Sequence, residues 1–246
     1  MRRSHTFFLW TVLLFTAWTS AVMTPVMARA DQAVTLSLQR YDSPSLDAGL
    51  TLIRNVGNLP VTVFLALLIG VSLIRTDRTP LALTLWALFV GGSLLELVGQ
   101  HWLPSSPPSS LERPDLHFLD HITVRLPGLI ILKRILQPPY GYPSGHAFRV
   151  LLLAAGAWIA WWWTTGVEDD RISKPAVLVA GVALMGIALV YLGDHRMSEV
   201  VGGYLLGVIC LGVLSSVHER GRKTEVEDTK NVRGSDRSPL ASSVQR

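Results

Sequence analysis

Six apolar runs divide this chain of 246 residues: Thr6–Ala28, Leu59–Ile74, Pro80–Leu103, Gly145–Thr165, Pro175–Leu192 and Val200–Val217. The hydrocarbon core of a bilayer takes about 20 helical residues to cross, and a backbone inside it must satisfy its own hydrogen bonds. Composition agrees, because 49% hydrophobic against 16% charged residues leaves too little charge to cover soluble lobes. The runs predict an all-α polytopic membrane protein, a six-transmembrane-helix bundle. The first run follows Arg2 and Arg3 and ends in Ala28-Arg29-Ala30, a small-residue pattern resembling a cleavage site. Residues 1–30 therefore read as a retained first span, which Trp10 and Trp18 suit, or as a signal peptide. In the second case the bundle has five spans.

The connections carry further information. Ser43-Pro44-Ser45-Leu46-Asp47 reads as a turn and helix cap followed by a short amphipathic piece through Ile53, at the membrane surface. The stretch from Pro104 to Tyr142 is rich in proline, and loops this long between spans are usually functional or disordered. Within it, Leu126–Leu136 is apolar but too short to cross. Trp161-Trp162-Trp163 reads as an interfacial aromatic belt, and Glu168-Asp169-Asp170-Arg171 as a turn. Residues 219–246 are polar, cannot bury a core, and are expected to be a disordered tail. Placing the N-terminus inside puts Arg2, Arg3, Arg75, Arg78, Arg171, Lys174 and the basic tail in the cytoplasm, as the positive-inside rule prefers. The proline-rich loop and the turn Tyr191–Glu199 then face outward. A net charge of +4 without an aromatic-interleaved basic face speaks against nucleic acid as a partner. The single cysteine, Cys210, excludes an intrachain disulfide framework and a cysteine-rich zinc or iron–sulfur site.

Two polar clusters interrupt the apolar sequence, Tyr142-Pro143-Ser144-Gly145-His146-Ala147-Phe148-Arg149 and Tyr191-Leu192-Gly193-Asp194-His195-Arg196-Met197-Ser198-Glu199. Ionisable groups at membrane depth are costly and mark functional sites by default. His146 and His195 are 49 residues apart, which is two spans of about 20 residues and a connection, so both return to the outer face. Ser144 suits a helix cap and Gly145 close backbone approach, and a helix N-terminus suits a phosphate. Arg149 follows His146 by three residues, on nearly the same helical face, and can add a guanidinium to the same anion. His195 and Glu199 are four apart, so in a helical turn the carboxylate can fix one imidazole nitrogen and make the other a better nucleophile or base.

Pro-Ser-Gly-His at the head of one span, followed about fifty residues later by Tyr-Leu-Gly-x-His-x-x-Ser-Glu-Val-x-Gly-Gly, resembles the type 2 phosphatidic acid phosphatase superfamily, membrane lipid phosphate phosphatases related in fold to vanadium haloperoxidases. The resemblance covers roughly Ser43 to Val217 and makes residues 31–218 a phosphatase-like membrane domain. It implies that His195 attacks phosphorus, Glu199 orients it, His146 protonates the leaving alcohol, and Ser144 and Gly145 touch the phosphate. That scheme requires no metal and no other cofactor; its partners are a lipid phosphate and the bilayer. Candidate substrates are polyprenyl pyrophosphate, phosphatidate and phosphatidylglycerol phosphate.

The departures concern positive charge. The family carries an Arg six residues before the nucleophilic His, where this chain has Leu189. Its Lys followed seven residues later by Arg-Pro has no clean counterpart; Gln137-Pro138, with Lys133 and Arg134 upstream, and Glu96 to Pro108, with Gln100, are possible remnants. Glu199 stands where Asp is commoner. Arg149, helped by Lys133, Arg134 or Arg196, is expected to take over the missing cations. Glu96 and Gln100 either line the site or cap their span. His117 and His121, four apart around Asp120, resemble a metal-binding face without a clear third ligand. The rival reading is a relative that binds or moves lipid phosphates without turnover, for which Leu189 speaks; haloperoxidase chemistry with vanadate would need the full cation set.

Overall fold

The computed structural model describes residues 2–41, 43–103, 141–165 and 173–235. Lys133, Arg134, His117, His121, the stretch 126–136, Gln137-Pro138 and the turn 168–171 lie outside the described residues. Within them all regular structure is helical: α1 (Arg2–Val22), α2 (Pro25–Gln39), α3 (Pro44–Val56), α4 (Leu59–Arg75), α5 (Thr79–Trp102), α6 (Gly145–Thr165), α7 (Ser173–Leu192) and α8 (Met197–Ser235).

The sequence breaks these helices where backbone chemistry demands it. The first run, expected to continue to Ala28, instead ends at Val22, and α2 leaves it at 87°. Thr24 caps α2 by accepting the Met27 N–H, and Pro25 occupies its first turn, where the missing N–H costs nothing. A second break of 52° separates α3 from α4 at Gly57-Asn58. Helix α7 stops at Leu192 because Gly193 takes φ 78°, the left-handed conformation that ends helices. The tail does not leave structure at Glu219 as expected: α8 is helical through Ser235. Residues 219–235 are rich in Glu, Arg and Lys, which are good helix formers and can prolong an existing helix.

Two helices, Thr79–Trp102 and Met197–Gly221, are long and apolar enough to cross a membrane. Two more candidates arise if each bent pair, α1 with α2 and α3 with α4, is one span. The described residues thus support two to four spans. Helices α6 and α7 contribute the shorter apolar stretches Gly145–Trp161 and Ala176–Leu192.

Helix α6 is central, touching α4, α5, α7 and α8, while α8 also packs on α1, α2 and α5. Leu85, Phe89, Phe148, Leu152, Leu206 and Leu214 form its main apolar contacts. The outer surface is apolar as well: Phe64, Leu67, Leu94, Leu95 and Val98 are each at least half exposed. The charged and amide groups Glu96, Gln100, Arg149 and Glu199 are buried inside. A soluble protein would lose heavily on that arrangement, whereas lipid favours it.

Candidate active site

Ser144 joins the two polar clusters through its backbone. Its N–H donates to the Glu199 carbonyl at 3.0 Å, and its own carbonyl and Oγ accept the Phe148 and Ala147 N–H groups at 3.1 and 3.4 Å. The first turn of α6 is therefore capped by Ser144 and tied to the first turn of α8. Ser144 is fully buried.

In the α7–α8 turn, the His195 N–H donates to the Leu189 carbonyl at 3.2 Å. Nδ1 of His195 lies 2.9 Å from Oε2 of Glu199, which also accepts the Arg196 N–H at 3.3 Å. Glu199 is 1% exposed and sits in the first turn of α8, where a helix N-terminus favours negative charge. A carboxylate only accepts, so Nδ1 carries the proton and Nε2 keeps its lone pair. The His146 ring lies 5.8 Å from that of His195, inclined by 62°. Nε2 of His146 is 3.0 Å from Oδ1 of Asn58, at the α3–α4 break.

Arg149 is not a bare cation. Its Nη1 meets Oε2 of Glu96 at 2.6 Å, and Gln100 Nε2 donates to Oε1 of Glu96 and to the Pro143 carbonyl, both at 3.2 Å. Gly145 makes this possible, since a Cβ there would stand 1.8 Å from Oε1 of Glu96. The close approach that Gly145 permits is thus to a carboxylate of α5. Nε of Arg149 and Oε1 of Glu199 are buried without a hydrogen-bond partner among the described residues.

A second cation comes from α3: Nε of Arg54 is 2.8 Å from Oδ2 of Asp194, the residue before His195. Arg54 and Arg149 are both close enough for their charges to bear on His146. The N-terminal helices brace the same turn. Oδ1 and Oδ2 of Asp31 accept the Ser198 N–H and Oγ–H at 2.8 and 2.6 Å, Trp18 Nε1 donates to the Ser198 carbonyl at 3.0 Å, and Gln39 Nε2 donates to the Tyr191 carbonyl at 2.9 Å. Tyr191 donates to Oδ1 of Asp47 at 2.6 Å, and the Tyr142 hydroxyl pairs with Thr19 at 2.7 Å. Burial pushes the Asp31 carboxyl and the Tyr142 phenol above their ordinary values.

Of the residues singled out in the sequence, His195, His146, Glu199, Ser144, Gly145 and Arg149 come together at one end of the bundle, with Glu96 and Gln100 behind them. Arg196 contributes its backbone to Glu199, while its charge bears on Asp31. Sequence reasoning missed Arg54, Asn58, Asp194 and Asp31. Arg54 and Asn58 carried a usable signal, because the sidedness expected from the sequence assigns residues 31–58 to the same side as both histidines. Among the described residues no cluster of three or more metal-ligating side chains occurs.

An apolar cavity of about 500 Å³ opens among α4, α6 and α7, lined by Thr62, Leu65, Ile69, Val150, Leu153 and Leu178 among others. Val150 stands one helical turn beyond His146.

Residues 109–223 match the PAP2 superfamily. The chain is 24% identical over 211 residues to Phosphatidylglycerophosphatase B of Bacillus subtilis strain 168, covering 85% of this chain and 93% of that protein. Its fold is similar to the crystal structure of the first transmembrane PAP2 type phosphatidylglycerolphosphate phosphatase from Bacillus subtilis, with a TM-score of 0.70 and 20% identity over 87% of this chain and 96% of that one.

Proposed function

We infer from the PAP2 superfamily domain that this chain carries that it is a lipid phosphate phosphatase of six membrane spans. It works at the outer face without a metal, hydrolysing a phosphomonoester or pyrophosphate through a phosphohistidine. The observation that carries this reading is the pair His195–Glu199, with Nδ1 held at 2.9 Å and the His146 ring 5.8 Å away. Nε2 of His195 attacks phosphorus in line, His146 protonates the leaving oxygen, and water then releases phosphate from His195. Charge in the transition state needs cations. Arg149, with an unused buried Nε donor, and Arg54 supply them in place of the family's missing arginine, with Lys133, Arg134 and Arg196 as further candidates and Ser144 and Gly145 at the phosphate.

The apolar cavity suits an alkyl chain that stays in the bilayer while the head group reaches the histidines. The similarity to phosphatidylglycerophosphatases favours phosphatidylglycerol phosphate over phosphatidate and polyprenyl pyrophosphate as substrate. A second reading, a relative that binds lipid phosphates without turnover, is favoured by one observation. Leu189, where the resemblance leads one to expect an arginine, is fully buried in an apolar cluster with Met185, Val190 and Val200 and supplies no charge. Phosphate release by the purified protein from these three lipids, with EDTA present, decides between the readings. Release by wild type and none by His195→Asn is the expected result. Binding of the lipids with no release from any of them supports the second reading, and release abolished by EDTA removes the metal-free scheme.

A further inference from the structure

The α3–α4 break presses against His146. A Cβ on Gly57 would stand 2.7 Å from Cδ2 of the imidazole, and Oδ1 of Asn58 is 3.0 Å from Nε2. The Cδ2–Nε2 edge of the ring thus faces the break, and the Nδ1–Cε1 edge faces away from it. Asn58 occupies the N-cap position of α4, yet its side chain makes no cap hydrogen bond. Pro60, in the first turn, has no N–H to donate to it. The side chain is instead committed elsewhere.

Its orientation is dictated by a chain of donors. Nη1 of Arg54 can only donate, and it donates to Oδ1 of Asn55 at 3.4 Å. Nδ2 of Asn58 donates to the same oxygen at 3.1 Å. That fixes Oδ1 of Asn58 toward His146, and a carbonyl oxygen only accepts. The proton of neutral His146 is therefore on Nε2.

We propose that Asn58 is a positioning residue for the reaction, holding Nε2–H of His146 throughout the cycle so that Nδ1 is the nitrogen that gives and takes the catalytic proton. This rests on the reading of His146 as general acid. As the bond between phosphorus and the leaving oxygen breaks and Nε2 of His195 bonds to phosphorus, the Nδ1–H of the His146 imidazolium passes its proton to the leaving oxygen. His146 is left neutral, still donating Nε2–H to Asn58. Nδ1 then takes a proton from the water that attacks phosphorus, the bond to His195 breaks, phosphate leaves, and the imidazolium is restored. A pinned tautomer in this role matches the use of a third residue to orient a catalytic histidine in triads.

The test has two arms on full-length protein in detergent. The 15N shifts of the His146 imidazole report its tautomer whether or not the protein turns over. The Nε2–H form is expected in wild type and a mixture in Asn58→Leu; an Nδ1–H form in wild type overturns the proposal. The second arm is the pH profile of phosphate release. Asn58→Asp keeps an acceptor and adds a charge, so the alkaline limb should move up by about 1 pH unit or more. Asn58→Leu should lower kcat at least about tenfold with little change in KM. The charged or titratable groups around His146 are His195 from the α7–α8 turn, Arg149 from α6 and Arg54 from α3, and all are unchanged in both variants. Wild-type kcat and an unmoved profile in both variants overturn the proposal. Absence of turnover in wild type counts against the phosphatase reading and leaves the tautomer measurement to judge Asn58.

Discussion

Nη1 of Arg149 lies 2.6 Å from Oε2 of Glu96, 53 residues earlier in the chain, with both side chains buried. Truncating one member of a buried pair strands the other charge, at a cost of about 3–5 kcal/mol. Arg149→Ala should therefore lose stability as well as phosphatase turnover. The double variant Glu96→Leu with Arg149→Met should regain most of the stability, read by thermal unfolding in detergent, without regaining turnover. Turnover restored in the double variant would mean that Arg149 does not touch the phosphate.

The Glu199 carboxylate fixes Nδ1 of His195, and a carboxamide in its place can present a donor to the same nitrogen and select the wrong tautomer. Glu199→Gln should lower kcat about 10²- to 10⁴-fold while KM stays close to that of wild type. Equal losses in lipid binding and turnover would assign Glu199 to the scaffold instead.

Asp31 serves the first turn of α8 from another helix, receiving the Ser198 N–H and hydroxyl. Its carboxyl is raised by burial, so the folded protein holds that proton more tightly than the unfolded chain. Its contribution to stability is full below the unfolded value and declines as pH rises through the interval up to the folded value. Asp31→Asn keeps an acceptor and does not titrate, so its Tm should gain on wild type as pH rises from about 4. Asp31→Ala leaves the Ser198 N–H unsatisfied and should fall about 1–3 kcal/mol below Asp31→Asn. Parallel Tm curves for wild type and Asp31→Asn would contradict this.

Ala154 and Ala157 line the cavity among α4, α6 and α7. Filling it with Ala154→Trp should displace two or three methylenes of a bound chain, each contributing about 0.8 kcal/mol. KM for a long-chain lipid phosphate should rise about tenfold or more, and KM for a short-chain, water-soluble phosphate should hardly change. Equal effects on both would show that the cavity does not hold the chain.

The sequence revealed the helical class and the two histidine clusters because each signal is local: apolar runs against polar interruptions, and a four-residue spacing that survives folding. What it hid is the partner of each polar group. Nothing near Arg149 in the chain announces Glu96, and nothing near Ser198 announces Asp31, since both contacts are made only when distant helices dock. The break before Pro25 was legible from Thr24-Pro25, but the apolar character on both sides masked it. Asn58 carried no local sign of its partner either, since the His146 ring that its side chain meets lies 88 residues further along the chain.

The phosphohistidine is where these assignments meet. Purified wild type mixed briefly with phosphatidylglycerol phosphate, quenched in alkali and digested should yield a phosphorylated peptide containing His195, labile to acid and stable to base, and His195→Asn should yield none. Turnover of the lipid with no such adduct, or an adduct on any other residue, would contradict nucleophilic attack by His195.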